Sequence, residues 1–392
     1  MSQPRFIQIH TLHSYPAALL NRDDAGLAKR LPLGDAVRTR ISSQCLKRHW
    51  RMADDQFSLA NLGVPMAVRS RHTLDHIREQ LLARGASNSL ALAAAEALRN
   101  GGLLDKAGKE QQGQQALETG QAILLGKAEI DYIVMRVLDL IGEHAGEKPL
   151  KAAVAAFLKE EKKNIETLKH GSGLESALFG RMVTSDVLAN RDAAVYVGHA
   201  FTVHEAQMEN DYFTVVDDLL SEAGQSGAAG IFDTELASGL YYGYVVVDVP
   251  QLVANLEGID IRECFSAASE RRDLAGQVVQ HLLHLISTVS PGAKRGSTAP
   301  FNWAKFVLVE TGDWQPRSLA GAFQNALPLN SPHLLQAAMQ RLSAEVAKLD
   351  AAYGAPLQRR YLAVDEVEVP QGDRLPLADL AKWARERIVQ GM

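Results

Sequence analysis

Cysteine is nearly absent: the 392 residues carry two, Cys45 and Cys264, too few for a disulfide framework or a cysteine-based metal site. No stretch of about 18 uncharged apolar residues occurs. The opening MSQPRFIQIH lacks a charged-then-apolar signal layout, so a cytoplasmic protein with no membrane segment is expected. The GxGxxG and GxxxxGK[ST] phosphate loops and the GxSxG elbow are missing, which leaves nucleotide-driven catalysis without support. An overall excess of base is missing too. A formal net charge of -5 and a pI near 6.2 exclude a histone-like polycation, so any nucleic-acid site must be local. What is present is 46% hydrophobic residues, enough for a sizeable core, in a length that suggests two or three folding units.

Against this background residues 38 to 51, RTRISSQCLKRHWR, hold five fixed positive charges, a histidine and no acid. On a helix from about 43 to 53, Gln44, Lys47, Arg48 and Arg51 share one face, while Leu46, Trp50 and Ala53 share another. Such a helix packs by its apolar seam and presents cations to a polyanion. Ser42 or Ser43 would cap it, and the N–H groups at a helix start favour phosphate. A solvated surface helix fits the same pattern.

The alternation in FIQIHTLHS (6 to 14) predicts a half-buried strand, followed by a long loop and the basic helix. From 61 to 175 the periodicity is helical, with no strand pattern. Strands are expected at 193 to 204, 240 to 249 and 305 to 311, with a helix at 273 to 289 before the last. The final 70 residues read as mostly helical, SLAGAFQNAL included. The order β-α-β-β-α-β predicts an α+β fold on the ferredoxin-like plan, also used by RNA-recognition motifs. No RNP1 signature is present, although Tyr241, Tyr242 and Tyr244 make the third strand aromatic. The connection 205 to 238 is long enough to be a binding arm, and Tyr212 and Phe213 within it are either a loop anchor or a platform for nucleobases.

Asp23, Asp24 and Asp35 could hold a divalent metal or serve as acid and base, but adjacent acids in a loop are more often turn and cap residues. His10, His13, His199 and His204 lie in strand-like stretches and point to packing rather than ligation. The loop PGAKRGSTAPFN (291 to 302) places Lys294, Arg295 and Ser297 where they could meet phosphate oxygens, or form a polar turn.

The motifs FIQIHTL, LNRDD, VRTRISSQCLKR, ALFGRMVTSD, VGHAFTVHEA, DYFTVVDDL and SPGAKRGSTAPFN, in this order over about 5 to 310, resemble the CasC (Cas seven) backbone-subunit family of the type I-E CRISPR Cascade complex. The resemblance implies an RRM-like palm in three parts (1-60, 176-205 and 237-392, the last with a helical C-terminal region). It also implies helical fingers (61-175) and a thumb (206-236). It implies a non-catalytic subunit, without metal or cofactor, that oligomerises head to tail along CRISPR guide RNA and presents it to a target DNA strand. The large, small, guide-end-capping and guide-processing subunits would be its other partners. Arg22, Arg40, Ser42, Gln44, Lys47, Arg48, Arg51, Lys294 and Arg295 match positions that grip guide RNA, and Met182 matches one that packs against guide bases. Tyr212 and Phe213 match a thumb-tip pair that is usually Trp-Phe, and Cys45 stands where a small polar residue is common. A metal-dependent RNA endonuclease of the related type III class, and a monomeric RRM-like protein, are the alternatives.

Overall fold

The computed structural model describes residues 3–100, 117, 123–144, 146–160, 173–180, 191–216, 228–354 and 357–391. Its strands are β1 (Phe6–Ala18), β2 (Arg30–Leu33), β3 (Ala36–Ile41), β4 (Ala67–Ser70), β5 (Ile123–Gly126), β6 (Val195–Val197), β7 (Ala200–Thr202), β8 (Gln207–Val216), β9 (Ala228–Asp248), β10 (Phe306–Gly312), β11 (Gln358–Ala363) and β12 (Gly372–Arg374). The basic segment forms helix α1 (Ser43–Arg51). Chain contacts divide the protein into two compact units, Met1–Ser58 with Tyr196–Val249 and Ala275–Met392, and Leu59–Val195 with Pro250–Leu274. No helix among the described residues is long and apolar enough to cross a membrane.

The first unit is mixed α+β, built on a sheet ordered β12-β11-β10-β1-β9-β7-β3-β2. The strands expected from sequence therefore lie side by side as fourth, first, third, second. β1 pairs antiparallel with both β10 and β9, Ile9 facing Val309 on one side and Val245 on the other. It was expected to be half-buried, yet it is covered almost throughout, because helices lie on both faces. Leu46 of α1 packs with Tyr15, Ile41, Ala200 and Tyr241 on one face. Leu12, Tyr242, Phe306 and Leu308 pack with Met339 and Leu342 of the helix Leu334–Tyr353 on the other. Tyr241 and Tyr242 are thus core, not an exposed aromatic strand.

The polar residues of β1 survive burial through an ionic cluster on this second face. Glu310 accepts from Arg317 Nη1 at 2.7 Å and lies 3.1 Å from Arg359 Nε as an ion pair, and Arg359 Nη2 continues to Asp350 at 3.0 Å. His10 Nδ1 meets the Tyr242 hydroxyl at 2.9 Å, while its Nε2 faces Glu310 at 3.4 Å. Burial opposes the charge on Glu310, but His10 and Arg317 outweigh it and hold the carboxyl at about 2. Burial likewise keeps His10 neutral by lowering its pKa.

Several expectations fail for local reasons. The region 61 to 175 contains β4 and β5, which pair antiparallel; the apolar ILLG joins them because Glu129 accepts the Gly126 N–H at 2.7 Å and starts the helix Lys127–Glu143 there. SLAGAFQNAL supplies only the turn Ala320–Phe323, since Asp35 captures the Ala326 N–H at 2.8 Å and Phe323 enters the core. The C-terminal region is not only helical: β11 escapes an apolar alternation because one of its inward residues is Arg359. The loop before α1 is the antiparallel hairpin β2–β3. Within the connection 205 to 238, β8 and the start of β9 pair antiparallel, so that Phe213 faces Phe232 and Tyr212 faces Asp233.

The second unit is helical around its small sheet. Leu74, Ile77 and Leu81 meet an alanine-rich helix, Asn88–Asn100, with Val134, Val137, Leu150, Val154 and Phe157 completing the core.

Candidate nucleic-acid interface

Helix α1 begins where the serine pair predicts. Ser42 is its cap and accepts the Cys45 N–H at 3.3 Å, and Asn21 Oδ1 anchors the Ser42 N–H at 2.8 Å. The Ser43 N–H donates to His199 Nδ1 at 3.0 Å. Two of the N–H groups that sequence reasoning assigned to phosphate are therefore used within the protein. His199 reaches this position because the segment 193 to 204, expected as one strand, breaks into β6 and β7 at Gly198, whose N–H donates to the Tyr244 carbonyl at 2.9 Å. Burial, then Arg40 and Lys29, lower the His199 pKa and keep it an acceptor.

On α1 the apolar side is Leu46 and the buried Trp50; Gln44 and Arg48 are exposed, and Lys47 and Arg51 are half-buried. An open cleft of about 340 Å³ lies along this helix, lined by Asn21, Arg22, Ser42, Gln44, Arg48 and Gly292 among others. It continues past Arg48 into a second cleft of about 670 Å³ that Arg295 and Phe301 enter from the 291 to 302 loop. Segments distant in sequence thus bring Arg22, Gln44, Arg48 and Arg295 to one helix–loop seam. Among the described residues neither Arg48 nor Arg295 is within ion-pair distance of a carboxylate, although Asp54 and Asp55 line the second cleft with them, so both guanidinia are open to an anionic ligand.

His49 joins the two sides of the seam. Its Nδ1 donates to the Cys45 carbonyl at 2.8 Å, and its Nε2 accepts the Gly292 N–H at 3.3 Å. Burial, with Arg295 and Arg48 beside it, lowers its pKa, which suits the neutral ring that this bridge requires. The Ala293 N–H donates to the Leu19 carbonyl at 2.9 Å, after which Lys294 takes a left-handed φ of +52°. That turn sends Lys294 away from the cleft. Its Nζ bonds Thr234 Oγ1 at 2.5 Å and lies 5.6 Å from the Phe213 ring.

The remaining predicted residues fall elsewhere. Arg40 Nε donates to the Arg30 carbonyl at 3.2 Å beside His199. Met182 lies outside the described residues. Tyr212 and Phe213 are both exposed but, as strand neighbours, stand on opposite faces of the β8–β9 pair. Asp23 accepts the Ala25 and Leu27 N–H groups at 3.0 and 2.9 Å, and Asp35 pairs with Arg38 at 3.4 Å, the roles of turn residues. Asn21, His49 and Phe232 have no role assigned from sequence, and His199 was expected only to pack. Only the adjacency of His49 to Arg48 was a signal, since the others depend on contacts across about 20 to 156 residues.

Fold and site together define a mixed α+β protein with a cationic seam between one helix and one loop. The chain belongs to the CT1975-like protein family, whose model matches residues 7–383. It is similar to a chain of a solved structure described as "CRISPR RNA-guided surveillance complex, pre-nicking", with 27% identity and a TM-score of 0.78 over 97% of this chain and 100% of that one. A chain of a second "CRISPR RNA-guided surveillance complex" shares the fold, with 24% identity and a TM-score of 0.69 over 97% and 99%. No curated protein matches. The resemblance read from the sequence motifs is borne out over nearly the whole length.

Proposed function

We propose that this protein is a backbone subunit of a type I-E CRISPR Cascade surveillance complex that binds guide RNA through the α1 seam and assembles head to tail along it. The observation that carries this reading is the pair of open clefts that meet at Arg48, one lined by Arg22 and Gln44 and the other by Arg295, in a chain similar to a subunit of an RNA-guided complex. Protein cations and polar groups grip the sugar–phosphate backbone, while guide–target pairing supplies sequence specificity. The palm is RRM-like in this reading, which the strand order fourth, first, third, second supports. A heterologous contact that does not close generates the filament. The subunit is a scaffold rather than a nuclease in this reading, which the engagement of two of the candidate acids supports: Asp23 accepts the Ala25 and Leu27 N–H groups of its own turn, and Asp35 accepts the Ala326 N–H.

The test is binding of the protein to single-stranded RNA of guide length. Arg48→Glu combined with Arg295→Glu abolishes assembly in this account, whereas wild-type binding weakens steeply with salt. Unchanged binding by the double variant removes the seam from the site. Asp24-dependent cleavage of complementary RNA in Mg²⁺ overturns the scaffold reading in favour of a nuclease.

A further inference from the structure

The two loops that flank the cationic seam are tied to neighbouring residues of one strand. Over Thr234–Ala237, β9 passes from its pairing with β8 to its pairing with β1: Glu235 stands opposite Asn210, and Ala237 opposite both Met208 and Ala18. Successive residues of a strand point to opposite sides. Thr234 Oγ1 accepts from Lys294 Nζ at 2.5 Å, towards the 291 to 302 loop. Glu235 reaches the 21 to 30 loop instead, where its Oε1 accepts the Ala28 N–H at 2.8 Å and its Oε2 accepts from the Arg30 guanidinium.

Glu235 is 7% exposed, and a carboxylate so buried needs its charge and lone pairs satisfied. Ala28 is a group that needs an acceptor in return. Arg22 and Ala28 form the antiparallel bridge at the stem of their loop, closed by the Lys29 N–H on the Asn21 carbonyl at 3.0 Å and the Asp23 N–H on the Leu27 carbonyl at 2.8 Å. Those bonds make Arg22 and Ala28 a non-hydrogen-bonded pair, so the Ala28 N–H points out of the stem and requires an outside partner. Glu235 is that partner. The Ala28 methyl meanwhile enters a small apolar cluster with Leu19 and Ala237, against which Leu236 and Ala293 pack. Arg22, which lines the cleft with Gln44 and Arg48, therefore stands on a stem whose place is set from β9.

We propose that Glu235 is a positioning residue for the seam: it touches no RNA, and by holding the Ala28 N–H and Arg30 it fixes Arg22 where that side chain meets the sugar–phosphate backbone. This role rests on the RNA-binding reading above and adds to it a residue that acts through Arg22.

The experiment is a double-mutant cycle in the full-length protein, read by fluorescence anisotropy on RNA short enough for one copy, with amide hydrogen exchange at Ala28 followed without RNA. One phosphate contact on a single strand contributes about 0.7 to the salt slope, hence about fourfold in affinity at 0.15 M salt. Arg22→Gln and Glu235→Ala should each lose about that much, and their combination no more than either alone. Glu235→Ala with Arg295→Gln should instead multiply to roughly 15-fold, since Arg295 belongs to the other loop. Glu235→Gln keeps a carbonyl for the Ala28 N–H and should stay within about twofold of wild type, with Ala28 still slow to exchange. Losses of Arg22→Gln and Glu235→Ala that multiply overturn the assignment, as does a loss in Glu235→Gln equal to that in Glu235→Ala. An Ala28 N–H that exchanges freely in the wild-type protein overturns it too, whichever variants fold. Failure of wild type to bind guide-length RNA, with Ala28 protected, refutes the functional reading itself.

Discussion

Arg48→Gln with Arg295→Gln removes two charges from the seam while leaving its packing in place. Both guanidinia are exposed and, among the described residues, neither is engaged by a carboxylate, so the change should cost the fold within about 0.5 kcal/mol at each site. Its effect on RNA binding follows from counterion release. Each phosphate neutralised on a single strand contributes about -0.7 to the slope of log K against log salt, so loss of two contacts flattens the slope by about 1.4. At 0.15 M salt this corresponds to a loss of roughly 10- to 15-fold in affinity, or about 1.5 kcal/mol, and the difference vanishes towards 1 M. Fluorescence anisotropy on an RNA short enough for one copy, titrated from 0.05 to 0.4 M KCl, reads both quantities. Parallel salt slopes for wild type and variant would show that neither arginine meets phosphate, whatever their affinities at one salt concentration.

Other perturbations probe the frame behind the seam. Glu310→Gln leaves Arg359 buried with only Asp350 opposite it and should cost about 3 kcal/mol in urea unfolding; a change below about 1 kcal/mol would show the cluster to be dispensable. Gly34→Ala places a Cβ 1.6 Å from the Gln324 carbonyl at a φ of +61° and should lower Tm by roughly 5–10 °C, whereas Gly26→Ala, with open space around it despite its φ of +88°, should cost about 1 kcal/mol. Acid should destabilise the fold in two stages. His13 is lowered by burial to about 4, so its contribution is complete above 6.5 and is lost as pH falls from 6.5 towards 4, by at most about 3 kcal/mol. The Glu310 contribution persists above its ordinary value and is lost as pH falls towards about 2. Stability that is flat from pH 7 to 4 would contradict this.

The basic helix was legible because its signals are local: a serine cap, an apolar seam and cations at helical spacing all lie within 14 residues. The strands of the central sheet were legible where their apolar runs were short and bounded. What stayed hidden had either a polar pattern or a distant partner. β8 is exposed from Gln207 to Thr214, and the positions of β9 opposite its aromatics are exposed too, so no alternation of buried and exposed residues marks this pairing. β11 places Arg359 in the core, where the carboxylates of Glu310 and Asp350 make a cation read as buried. The seam shows the same division. Arg48 could be assigned from α1 alone, whereas Lys294 could not, because the left-handed turn that directs it to Thr234 is set by a loop anchored to Leu19 and His49. His199 marks a helix start 156 residues away, and only the folded chain brings the two together.

The central claim, a backbone subunit carried along guide RNA by the α1 seam, meets its most direct test in native mass measurement of the purified protein on single-stranded RNA of guide length. The account predicts several copies per RNA, falling in regular steps as the RNA is shortened, and no assembly by the Arg48→Glu, Arg295→Glu variant. A single bound copy at every RNA length, or assembly unaffected by the double variant, would contradict it.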